Sequence, residues 1–160
     1  MASFQWIDSD DRFRLAIRPR PGIRLVTELR EWRAAGVDCI ISLQSKRESR
    51  RLGLAEEPEI AEQLGLTFER FAIADHGVPA RSKAALEVAD RALRWLQAGQ
   101  GVVYHCHAGI GRSGTMAILT LILAGFSVKE ATARVTQARG RPVPENEQQS
   151  AWLRKISANL

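Results

Sequence analysis

Apolar residues along this chain fall into two alternating rhythms. Arg14-Leu15-Ala16-Ile17, Val37 to Leu43, Leu66 to Ile73 and Gly101 to Tyr104 are short apolar runs of the kind that form buried strands, and the first stops at Pro19 and Pro21. Between them the spacing becomes helical. Leu25, Leu29 and Trp32 line one face of a segment ended by Gly36, and Pro58 to Leu64 predicts a short helix closed by Gly65. Leu86, Ala89, Leu93 and Leu96 share a face of a helix running to Gln97, with Ser82 as its expected N-cap and Glu87–Arg91 and Asp90–Arg94 as expected i,i+4 pairs. After the last strand the pattern is wholly helical. It comprises an apolar run from Ser113 to Leu123, a segment opened by the capping box Ser127-Val128-Lys129-Glu130 and closed by Gly140, and a final helix whose Trp152, Leu153 and Ile156 are core. Strands alternating with helices predict an α/β fold with a mostly parallel central sheet flanked by helices.

At 160 residues the expectation is a single domain spanning 1–160, large enough to bury a core without staples. Two cysteines, Cys39 and Cys106, do not make a disulfide framework. No apolar stretch approaches the roughly 18 residues of a membrane span, and Met1 to Asp10 lacks the basic start and apolar core of a signal peptide, so a cytoplasmic location without membrane partners is expected. Lys and Arg number 23 against 18 Asp and Glu, a net charge of +5 that favours anionic partners. The arginines are spread along the chain with few aromatics between them, which argues against nucleic acid and leaves a phosphorylated substrate. Oligomeric state is not readable.

One stretch, His105-Cys106-His107-Ala108-Gly109-Ile110-Gly111-Arg112-Ser113-Gly114, joins the last strand to the apolar helix. A turn there aims backbone N–H groups and the positive end of the helix dipole into a bowl, and its glycines let the backbone curl; the natural occupant is an anion. Arg112 supplies a planar fork that matches phosphoryl oxygens and stays charged. Cys106 would sit beneath the same group, and a thiol at a helix N-terminus beside a cation ionises readily enough to be a nucleophile. Gly109, Gly111 and Gly114 also satisfy G-x-G-x-x-G, but the acid at about the right distance, Glu130, lies inside a helical pattern. The P-loop pattern fails because Arg112-Ser113 stands where Lys-Ser/Thr is required, and a metal site from His105, Cys106, His107 and His76 is disfavoured because consecutive residues point apart.

These residues resemble the His-Cys-x5-Arg-Ser/Thr-Gly signature of the cysteine-dependent protein tyrosine phosphatase superfamily, and Asp75-His76-Gly77-Val78-Pro79 resembles its mobile general-acid loop. The resemblance implies the tyrosine-phosphatase fold in the small dual-specificity-like class, with no metal or other cofactor. It implies Cys106 as nucleophile, Arg112 and the amides of His107, Ala108, Gly109, Ile110 and Gly111 as the phosphate cradle, Asp75 as acid and then base, and Ser113 as hydrogen-bond donor to the Cys106 thiolate. The tail Arg141 to Gln149 is similar to the family segment that carries glutamines near the phosphate. Gln149 takes the later place, whereas the earlier, water-positioning one falls at Glu145 or Asn146.

The implied activity is hydrolysis of phosphotyrosine in proteins or peptides, with phosphoserine and phosphothreonine as further substrates. RNA 5′ ends or inositol phosphates, a sulfur- or arsenate-handling reaction, and a silent phosphate-reading module are the alternatives; intact Cys106, Arg112 and Asp75 argue against the last. Taken alone, Asp75 is also compatible with an exposed turn aspartate and His76 with a loop neighbour. Gln44 to Arg51 reads as a solvated face, or as a site where Lys46 or Arg47 steers substrate. Cys39 is a core residue or a resolving partner for Cys106.

Overall fold

The computed structural model describes residues 4–160; Met1 to Ser3, part of the N-terminal stretch considered above, lie outside them. Four strands, β1 (Arg14–Pro19), β2 (Cys39–Ser42), β3 (Thr67–Arg70) and β4 (Gly101–Cys106), form one sheet in the order β1-β4-β2-β3, every pair parallel. The strand runs expected at 37–43 and 66–73 are shorter as strands, although backbone hydrogen bonds continue past them, from Leu43 N–H to His105 O at 2.9 Å and from Ile73 N–H to Leu43 O at 3.0 Å.

Alternation of side chains across the pleat divides the core in two. Ala16, Ile40 and Val103 face helices α1 (Leu25–Ala35) and α3 (Glu57–Gln63), where Leu29 and Trp32 are buried. Leu15, Ile17, Cys39, Ile41, Val102 and Tyr104 face the other layer, formed by α4 (Ser82–Gln97), α5 (Gly111–Leu123), α6 (Val128–Arg139) and α7 (Glu147–Ala158). Between α1 and α3 lies the short α2 (Lys46–Arg51). With both faces of the sheet covered, the interior strands β4 and β2 are buried along their whole length, which is why they read as unbroken apolar runs. The central helix is α5, buried from Gly111 to Ile122. Tyr104, buried against it, pairs its hydroxyl with Thr120 Oγ1 at 2.8 Å.

Several local expectations hold and others change. Ser127 caps α6 by accepting the Glu130 N–H at 3.1 Å, and Gly36 and Gly140 close their helices in the left-handed region. Asp90–Arg94 forms at 2.9 Å. Ser82 is the first helical residue of α4, not its cap; that position is Arg81, which makes no side-chain cap bond. Arg91 does not pair with Glu87. Its Nε donates to Glu69 Oε2 on β3 at 3.0 Å and its Nη2 to the other oxygen, a two-point grip that an i,i+4 neighbour cannot match. Helix α5 starts two residues before Ser113. Among the described residues no helix is long and apolar enough to cross a membrane.

Ile118 is wholly buried in α5, and Ile118→Ala should cost about 3 kcal/mol of unfolding free energy through lost burial and the cavity left behind. A urea titration with an unchanged slope and a lowered midpoint is the expected reading.

Candidate active site

Strand β4 ends at Cys106 and α5 begins at Gly111, so residues 107–110 make the turn that the sequence marks out. Three of its carbonyls are held from outside. Arg20 N–H donates to His107 O at 3.3 Å, and Arg139 of α6 donates from Nη2 to Ala108 O at 3.1 Å and from Nε to Gly109 O at 3.0 Å. A trans peptide is planar with its N–H opposite its C=O, so these contacts turn the amides of Ala108, Gly109 and Ile110 inward. Gly109 N–H is found there, donating to Cys106 Sγ at 3.3 Å. Gly109 has φ +71°, and a Cβ on it would lie 2.4 Å from the backbone of Arg18 and Pro19. The missing side chain lets the bowl rest on the end of β1. At Gly111 a Cβ would lie 2.8 Å from the Glu145 carboxylate.

Arg112 is 1% exposed. Its end-on edge is taken by Glu48 of α2, Nη1 to Oε1 at 2.8 Å and Nη2 to Oε2 at 2.9 Å, and Nη1 also donates to Ile73 O at 3.1 Å. Asp75 Oδ1 lies 3.2 Å from Nη2, an ion-pair distance without a directed hydrogen bond. Glu48 thereby fixes the plane of the guanidinium and leaves the Nε/Nη2 side for two oxygens of a tetrahedral anion. Burial opposes the Arg112 charge, but Glu48, Cys106 and Asp75 outweigh it, so the guanidinium is held protonated above its ordinary value. The hydrogen bonds from Arg112 hold the Glu48 carboxyl below the usual range. Glu48 is the main functional residue that the sequence reading missed. Within 44–51 the expected solvated face is only partly present, because Glu48 and Ser49 turn inward. Ser45 caps this helix by accepting the Glu48 N–H at 3.0 Å. Lys46 and Arg47 are exposed, and Arg47 lines a cleft of about 270 Å³ shared with Ser45, Glu48, Arg51, Ile73 and Asp75.

Asp75 lies on the loop that leaves β3, its side chain half exposed and its Oδ1 accepting the His76 N–H at 3.0 Å. The tail segment grips this loop. Asn146 Nδ2 donates to His76 O at 2.9 Å, Gln149 Nε2 donates to Gly77 O at 3.1 Å, and His76 Nδ1 meets Glu145 Oε1 at 2.7 Å. Gln149 is buried, and its Oε1 accepts the Glu145 N–H at 3.0 Å, so both ends of its amide hold backbone beside Gly111. His76 is more than a loop neighbour, and Asn146 doubles as the cap of α7 by accepting the Gln149 N–H.

Other candidates fall out as follows. Ser113 Oγ is buried without a hydrogen-bond partner among the described residues, so the expected bond to Cys106 is not formed; the sulfur is met by Gly109 N–H instead. His107 and Ala108 are exposed on the rim, with Arg20 Nε donating to His107 Nδ1 at 3.3 Å, and Ile110 is buried. His105 does not converge with His107 and His76, since its Nε2 pairs with Glu57 Oε2 at 2.7 Å beneath the bowl, both side chains fully buried. Cys39 lies opposite Val102 in the register, four residues short of Cys106. That is about 13 Å along the strand, beyond the about 7 Å that a disulfide spans. Its thiol is pushed up to about 11 by burial, so the resolving role fails and the core reading stands.

The chain is similar to known proteins in sequence and in fold. The family model described as "Tc-R-P: Polymorphic toxin system, DSP-PTPase phosphatase" matches residues 18–126. The effector protein hopD2 of Pseudomonas syringae pv. tomato is 32% identical over 90 residues, 56% of this chain and 19% of that protein. The chain thus spans less than a fifth of the length of the curated relatives it matches. The crystal structure of Tk-PTP in its active form superposes with a TM-score of 0.78 at 26% identity, covering 99% of this chain and 98% of that one. PTPMT1 in complex with PI(5)P gives 0.77 at 23% identity, covering 99% and 96%.

Glu48→Gln should leave Arg112 charged and poorly anchored. A fall in kcat/KM of about 10²-fold on an aryl phosphate is expected from loss of positioning, with about 3 kcal/mol lost in stability because a buried charge loses its partner. Steady-state kinetics and urea unfolding on the same preparation read both.

Proposed function

The chain belongs to the DSP-PTPase phosphatase family, whose members are phosphoric monoester hydrolases, and on that premise we propose that it dephosphorylates phosphotyrosine in proteins, using Cys106 as nucleophile and Asp75 as proton donor. The observation that carries this reading is the meeting of three loops. The Cys106 sulfur lies in a bowl of inward amides, the Arg112 guanidinium is locked by Glu48, and Asp75 is 3.2 Å from that guanidinium.

In the first step the Cys106 thiolate attacks phosphorus along the line of the ester bond. The inward amides and the free edge of Arg112 take the equatorial oxygens, and Asp75 gives its proton to the leaving oxygen as the P–O bond breaks. The Asp75 carboxylate then accepts a proton from water, whose oxygen attacks the cysteinyl phosphate and releases inorganic phosphate and the thiolate. Catalysis here is positioning and electrostatics, supplied before the substrate arrives. Substrate class is argued from the rim. The variable positions of the bowl are His107, Ala108 and Ile110, with no lysine among them, so one phosphate is matched and additional ones are not. Tyr104 is buried in β4 and supplies no ring to stack on the substrate, which supports broad tolerance toward phosphoserine and phosphothreonine.

Cys106→Ser should abolish turnover while phosphopeptide binding persists, since a serine alkoxide is far harder to form in the same field; steady-state hydrolysis by this variant would sink the mechanism. For the substrate, kcat/KM should be highest for a phosphotyrosine peptide, compared at one ionic strength with a phosphoserine peptide and a soluble phosphoinositide. A preference for the phosphoinositide would replace the protein substrate with the ligand class that PTPMT1 was solved with.

A further inference from the structure

One carboxylate bridges the acid loop and the start of α5. Glu145 lies against Gly111, so close that a Cβ there would be 2.8 Å from both its Cδ and Oε1, and that same Oε1 is 2.7 Å from His76 Nδ1. Its neighbours add two neutral ties to the same loop, from Asn146 to His76 O and from Gln149 to Gly77 O. His76 holds φ at +63°, a conformation that a non-glycine residue keeps only when its surroundings impose it. Its ring also lies 3.5 Å from Asp75 Oδ2.

We propose that His76 and Glu145 are positioning residues, an ionic latch that holds Asp75 over the phosphate bowl and that also neutralises a carboxylate otherwise facing the substrate's phosphate. The inference rests on the acid role of Asp75 and adds what keeps it in place. An unpaired Glu145 would repel a dianionic ester across Gly111, whereas a protonated His76 cancels that charge and ties the loop down. The groups facing His76 are Asp75 on its own loop, Glu145 from the tail and Arg112 from α5; the two carboxylates outweigh the guanidinium and hold the imidazole above its ordinary value. A raised value means that the closed, charged latch is fully present below the ordinary histidine range and is lost as pH rises through the folded value. Loss of activity on the alkaline side therefore includes the loss of the His76 charge.

Two variants separate these contributions. His76→Asn tolerates the left-handed backbone and keeps a hydrogen-bonding amide but carries no charge; Glu145→Gln keeps a partner for His76 without the carboxylate. In His76→Asn, kcat/KM for an aryl phosphate with a poor leaving group should fall about tenfold, and by a smaller factor for one with a good leaving group, because only the former needs a well-placed proton donor. In Glu145→Gln, the His76 imidazole followed by NMR should titrate at lower pH than in the wild type, and the alkaline limb of kcat/KM should move down with it. Equal losses for both leaving groups in His76→Asn, or an unmoved His76 titration and alkaline limb in Glu145→Gln, would overturn the latch. Asp75→Asn identifies the source of a failure. If that variant shows the leaving-group dependence and the latch variants do not, the latch alone is wrong; if it shows none, the acid assignment fails and the latch goes with it.

Discussion

Arg112 carries a full charge at 1% exposure, and the surroundings of the bowl are arranged to make that tolerable. A buried guanidinium without a partner would cost several kcal/mol. Here Glu48 supplies the counter-charge and the Leu43 and Ile73 carbonyls take further N–H groups, with Leu43 O at 3.4 Å. These partners come from the ends of two different strand connections, after β2 and after β3. Fixing one side chain therefore fixes the spacing of three chain segments, and it is against that fixed cation that Asp75 takes up its place.

The all-parallel sheet makes this convergence possible. Each strand delivers its outgoing loop to the same edge, and the order β1-β4-β2-β3 sets the bowl between the β1 exit, with Arg20, and the α2 helix that carries Glu48. Ligands of open α/β sheets lie at this edge for the same reason. Below it the His105–Glu57 pair places a fully buried polar contact on the strand residue just before the nucleophile, with His105 Nδ1 and Glu57 Oε1 left without partners among the described residues.

The α/β class, the order of the strands and the turn that carries Cys106 and Arg112 were legible in the sequence because they are local: strand and helix periods, and a glycine-rich stretch with a fixed cysteine-to-arginine spacing. Their partners were not, because each is a long-range choice. Glu48 sits inside a charge run that looks solvated, and only the position of Arg112, sixty-four residues later, gives it a reason to be buried. Arg139 holds carbonyls with its side chain and Arg20 holds one with its backbone N–H, and neither contact leaves a mark in residue type. Ser82 and Glu87 show the reverse, good local rules overridden by where α4 begins and by the reach of Arg91 to Glu69. The expected Ser113 contact came with the family signature and depends on where one hydroxyl points, which the motif does not encode.

The outward anchoring of the His107, Ala108 and Gly109 carbonyls has a consequence for how a reaction in this bowl would end. Peptide planes pinned from behind cannot rotate to relax the field in front of them, so the bowl offers the same set of donors to any tetrahedral oxyanion of the right size. Inorganic phosphate is such an anion, and it is also what the proposed hydrolysis would leave behind. A receptor this rigid cannot lower its affinity for the product by changing shape, so its turnover in a phosphate-rich solution would be governed by competition from its own product.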